Sequence, residues 1–93
     1  MTDPDQELEL LRREIDALDR ALVDVLVARR EVVERIGAPK RARGLPAVDP
    51  LREARMRAAM VEQGASRGLP EPLVSAVLEA VLADSRAVVL GTR

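Results

Sequence analysis

The chain has 93 residues, 47% of them apolar, with 15 basic and 16 acidic side chains and a formal charge of −1. That is the size and balance of one small soluble domain, with no basic surplus for nucleic acid or anionic membrane and no run near the ~20 apolar residues of a membrane span. It contains no His, no Cys and no aromatic residue, which excludes imidazole acid–base chemistry, thiol nucleophiles, disulfides, Cys/His zinc sites and stacking on bases.

Chemistry is left to Arg, Lys, Asp, Glu and Ser, and no metal or cofactor is implied. A small, purely aliphatic core also calls for oligomerisation. The opening residues, from Met1 to Leu10, are acidic where a secretion signal is basic and then apolar, so the expected location is cytoplasmic.

Leu8, Leu11, Ile15, Leu18, Leu22, Val25, Val32 and Ile36 recur at helical spacing and predict a long amphipathic helix over about 5–38. At ~1.5 Å per residue it is about 45–50 Å long, more than a lone domain of this size covers, and it needs a partner chain along its length. Gly37 and Pro39 punctuate the pattern, and Gly44, Pro46 and Pro50 make residues 41–48 a loop.

Asp49 before Pro50 is a helix start, an N-cap acceptor ahead of a proline at the first helical position, so a second helix is expected over about 49–63. Gly64 and Gly68 end it. Pro70 and Pro72 open a third helix over about 70–89, with the stripe Val74, Val77, Leu78, Val81, Leu82, Ser85, Val88 and Val89, and Gly91 closes it. With no repeat, low-complexity tract or strand-like alternation, the fold class is all-α: three helices, the first long, in one domain over 1–93.

Some polar residues stand where apolar ones are expected. Arg29 occupies the stripe position between Val25 and Val32. It reads equally as a seam arginine that snorkels or sets register and as an anion ligand facing a helical interior. Lys40 lies about 20° around and about 16 Å along an ideal helix from Arg29, so the two cations could converge, although Pro39 perturbs that turn. Alone, Lys40, Arg41 and Arg43 read as a solvated basic loop.

Arg12 is about 25 Å from Arg29 on the same helix and could meet it only across an antiparallel pair of chains. Asp49, Arg52 and Glu53 read first as an N-cap with a capping-box-like acid. Ser85 reads as a small packed residue bonding back to a carbonyl.

Taken in order, Leu11, Arg12, Ile15, Leu18, Asp19, Leu22, Leu26, Arg29 and Arg30, then Ile36, Gly37 and Lys40, then Pro46, Asp49, Arg52 and Glu53, and finally Asp84 and Ser85 form a pattern. It resembles the all-helical chorismate mutase family, the AroQ class, over nearly the whole chain. The resemblance implies an intertwined homodimer of three-helix chains whose long first helix is shared between two active sites. It also implies conversion of chorismate to prephenate by an intramolecular Claisen rearrangement, which needs no nucleophile, metal or cofactor.

By position, the family's carboxylate-binding guanidiniums fall on Arg29 and Arg52 of one chain and Arg12 of its partner, with Ser85 assisting. The cation at the ether oxygen falls on Lys40, and the groups at the ring hydroxyl fall on Asp49 and Glu53. The family usually carries Gln or Glu as a second donor to the ether oxygen at the position held here by Val89, and valine donates nothing. Losing one such donor typically costs about 10²–10³ in rate.

That departure keeps other readings open. One is a mutase for 4-amino-4-deoxychorismate, whose ammonium would pair with Asp49 and Glu53, and another is an isochorismate pyruvate-lyase. A third is a non-catalytic chorismate-binding or regulatory helical dimer, and docking onto another enzyme of the pathway is also compatible with so small a chain.

Overall fold

The computed structural model describes residues 3–91 as α1 (Pro4–Ala42), α2 (Pro50–Ala65) and α3 (Glu71–Leu90). Met1, Thr2, Thr92 and Arg93, the ends of the expected 1–93 domain, lie outside the described residues. The architecture is all-α with a long first helix. The chain divides into two compact units, Met1–Val32 and Val33–Arg93, and α1 contributes to both.

The first unit is α1 as far as Val32. Asp5 and Glu7 in its first turn suit the positive end of the helix dipole. Its stripe residues Leu8, Leu11, Ile15, Leu18, Leu22, Val25 and Val32 are 45–68% exposed, and none of the described residues up to Val32 is buried. A single amphipathic helix has no second element of its own unit against which to bury an apolar face.

The second unit holds the last turns of α1 together with α2 and α3. Its buried apolar residues, Leu78, Leu82, Val88 and Val89, all lie on α3, against which α2 packs. The start of α2 follows the expected chemistry: Pro50 occupies the first turn, and the Asp49 side chain accepts the Arg52 backbone N–H at 3.2 Å. The helix continues past the expected end, through the buried Gly64, to Ala65.

The end of α1 departs from the sequence expectation. Gly37 and Pro39 do not stop the helix, which runs through both to Ala42. A proline this close to a helix end removes a single backbone bond and leaves the following turn intact. Termination comes instead at Gly44, whose φ of 65° is the left-handed conformation glycine adopts without strain. There the Gly44 N–H donates to the Arg41 carbonyl at 3.2 Å and the Leu45 N–H to the Lys40 carbonyl at 2.9 Å, a Schellman finish. Gly37 serves packing, since a Cβ built on it would stand 3.3 Å from the Val89 Cα.

Candidate functional site

Within the first unit, Arg12 is exposed and Arg29 is half-buried, and both project from α1. The other six candidate residues belong to the second unit. Lys40 stands half-buried in the last turn of α1, with its carbonyl tied into the Schellman finish. Its neighbour Arg41 reaches α3, where Nη1 donates to the Val89 carbonyl at 2.7 Å and to the Val88 carbonyl at 3.3 Å.

Val89 itself is buried. The last carbonyls of a helix lack partners within it and carry the negative end of its dipole, so a guanidinium there satisfies both needs. Ser85, one turn earlier, is half-buried, and its Oγ donates to the Val81 carbonyl at 2.9 Å, the local back-bond expected of a packed helical serine.

Asp49, Arg52 and Glu53 come together because they share the first turn of α2. Asp49 and Arg52 are exposed and line an open surface concavity with Arg55 and Met56. Glu53 is more enclosed, with a side chain 12% exposed, and it is engaged by α3. The Arg86 guanidinium takes its carboxylate in a fork, Nε to Oε2 at 3.2 Å and Nη2 to Oε1.

Arg57, one turn along α2, places Nη2 3.7 Å from Glu53 Oε1. Its own fork is engaged by Glu79 of α3, Nε to Oε1 at 2.6 Å and Nη2 to Oε2 at 3.4 Å. Arg86, Glu53, Arg57 and Glu79 thus form a chain of alternating charge, with one acid and one arginine on each of α2 and α3. The hydrogen bond from Arg86, assisted by the charges of Arg86 and Arg57, holds the Glu53 carboxyl below the usual range, against the opposing effect of desolvation. Arg57 does the same to Glu79, and each arginine is held above its ordinary value by its hydrogen-bonded partner.

The sequence did not single out Arg86, Arg57 or Glu79, and it put Arg41 in a solvated basic loop rather than on the end of α3. Glu53 and Arg57 carried a legible signal, an acid and a base four apart on one helix. Arg86 and Glu53 are 33 positions apart and Arg41 and Val89 are 48 apart, and no helical periodicity joins such pairs. Among the described residues, no group of three or more acids is placed to hold a metal ion, and no helix is long and apolar enough to cross a membrane.

The sequence from residue 11 to residue 89 matches the family described as chorismate mutase type II. The chain belongs to that family. The match takes in all eight candidate residues, Arg12, Arg29, Lys40, Asp49, Arg52, Glu53, Ser85 and Val89, the whole of α2 and most of α1 and α3 of this chorismate mutase type II chain.

Among its relatives, the chain is 40% identical over 79 residues to the T-protein of Enterobacter agglomerans, a match covering 85% of this chain and 21% of that protein. It is 35% identical over 82 residues to the T-protein of Haemophilus influenzae, covering 88% of this chain and 22% of that one. It is 30% identical over 84 residues to a 4-amino-4-deoxychorismate mutase of Streptomyces pristinaespiralis, covering 90% and 63% respectively. The chain therefore spans about a fifth of the length of the two T-proteins and less than two thirds of the third relative.

Proposed function

We propose that this chain converts chorismate to prephenate as an intertwined homodimer. The observation that carries the reading is membership of the chorismate mutase type II family over a segment that includes every candidate residue. In the reaction the ether C–O bond breaks as a C–C bond forms within one molecule, and no atom is gained or lost. Catalysis then requires only that the enolpyruvyl arm be held over the ring and that charge developing on the ether oxygen be stabilised.

In this reading Arg29 and Arg52 of one chain and Arg12 of the partner bind the two substrate carboxylates, a task suited to the planar guanidinium fork, and Ser85 assists. Lys40 faces the ether oxygen. Asp49 and Glu53 meet the ring hydroxyl, and the buried Val89 occupies the place of the second donor. The exposed stripe from Leu8 to Val32 supports the homodimer, because an apolar face of that extent is stabilised by burial against a second copy.

A second reading, rearrangement of 4-amino-4-deoxychorismate, is favoured by the 30% identity to a relative of that name. The test is turnover of both substrates by the purified chain, with product identified by chromatography. Chorismate turnover that disappears in Arg29→Ala supports the reading. A site shared between chains is tested by mixing Arg12→Ala with Arg29→Ala: each is inactive alone, and heterodimers regain one intact site in two. Turnover of neither substrate by the wild type overturns the proposal.

A further inference from the structure

The pair formed by Arg86 and Glu53 bears on which ring substituent the site accepts. The inference rests on the reading of Glu53 as a group that meets that substituent. We infer that Arg86 is a specificity-determining residue: by neutralising Glu53 it selects a substrate with a neutral ring hydroxyl over one with a ring ammonium.

The argument begins with the charges around Glu53. Its side chain is 12% exposed, and the Arg86 fork engages both of its oxygens, Nε meeting Oε2 at 3.2 Å and Nη2 meeting Oε1. Arg57 adds a second positive charge 3.7 Å from Oε1, and Glu79 balances that one. The four side chains sum to zero, so Glu53 presents no uncompensated negative charge.

A carboxylate has about four lone-pair sites and retains acceptor capacity after a bidentate pair, which is what a neutral hydroxyl donor needs. An ammonium at the same place gains little from a carboxylate already matched by a guanidinium, and it meets the Arg86 charge at close range, where like charges are strongly unfavourable. Asp49 does not reverse this balance, because it is exposed and water screens its charge, whereas the Glu53–Arg86 pair is partly enclosed. Arg86 touches Glu53 rather than the substituent, so it acts through Glu53.

The experiment measures kcat/KM for chorismate and for 4-amino-4-deoxychorismate in wild type, Arg86→Gln, Arg86→Met, Arg86→Lys and Glu53→Gln, with helix content checked by circular dichroism. The wild type is expected to prefer chorismate. Arg86→Gln and Arg86→Met shift the ratio toward the amino substrate by about tenfold or more, and Arg86→Lys, which keeps the charge, retains the wild-type preference. In Glu53→Gln, where Arg86 loses its partner, the ratio moves further toward chorismate.

An unchanged ratio in folded Arg86→Gln and Arg86→Met makes Arg86 a structural strap and overturns the inference. So does a shift in Arg86→Lys as large as that in Arg86→Gln, a wild type that prefers the amino substrate, or a Glu53→Gln that moves toward it. The Glu53→Gln arm leaves the inference open to refutation even if the Arg86 variants fail to fold, because a shift toward the amino substrate there overturns it. A wild type that turns over neither substrate overturns the reading of the site and this inference with it, a result unlike a fixed ratio in active enzyme.

Discussion

Arg41 Nη1 lies 2.7 Å from the carbonyl oxygen of Val89, so the residue after Lys40 closes the C-terminal end of α3. A charged donor on two late helix carbonyls stabilises the fold and fixes the turn that carries Lys40. Because Arg41 is exposed, solvent reduces that stabilisation. Arg41→Met is expected to lose about 1 kcal/mol of stability, read as a lower urea midpoint by circular dichroism at 222 nm. A midpoint equal to wild type shows the contact to be energetically idle.

Gly37 allows the same approach from the backbone side. Alanine in a helix interior ordinarily gains about 1 kcal/mol over glycine. Here the added Cβ stands 2.9 Å from Arg41 Nη1 and 3.3 Å from the Val89 Cα, and a backbone atom cannot rotate away. Gly37→Ala is therefore expected to destabilise by about 1–2 kcal/mol. A raised melting temperature contradicts the close contact.

The acids between α2 and α3 set an acid limit on stability. Glu53 and Glu79 are both held below their ordinary value of 4.5 in the folded chain, so the unfolded chain binds more protons as pH falls. Their stabilisation is fully present above that value and is lost as the pH drops through the lowered folded values. Urea midpoints are expected to change little from these groups between about pH 6 and 8 and to fall below about pH 4.5, with a shallower acid slope in Glu53→Gln. An acid slope unchanged in that variant removes Glu53 from the account.

Val89→Gln tests the missing donor. The site is buried, so an amide introduced there lowers stability by about 1–2 kcal/mol when it is unbonded in the free protein. On the proposed reading it supplies a hydrogen bond to the ether oxygen in the transition state, and kcat for chorismate rises by about tenfold or more. A variant that is less stable and no faster places the limit on rate elsewhere.

Much of the local structure was legible in the chain. Asp49 followed by Pro50 announced the start of α2, and Gly91 closed α3, because capping depends on a few adjacent residues. The stripe from Leu8 to Ile36 specified a long helix by its period. The stop assigned to Gly37 and Pro39 was misplaced: a proline tolerates the last turn, and that glycine serves an approach to Val89 that the linear order does not reveal.

The family pattern was also legible, since Arg12, Arg29, Lys40, Asp49, Arg52, Glu53 and Ser85 are marked by type and order. What the sequence determined by itself is what depends on neighbours along the chain: helix content, helix starts, the apolar stripe and the family. The tertiary structure alone decided which charges neutralise each other. Arg86 was an unremarked cation on α3 until packing brought it to Glu53, 33 positions away, and Arg41 was a loop cation until α1 ran on to meet Val89. Ion pairing depends on distance in space, and only the packing of α2 and the last turns of α1 against α3 sets that distance.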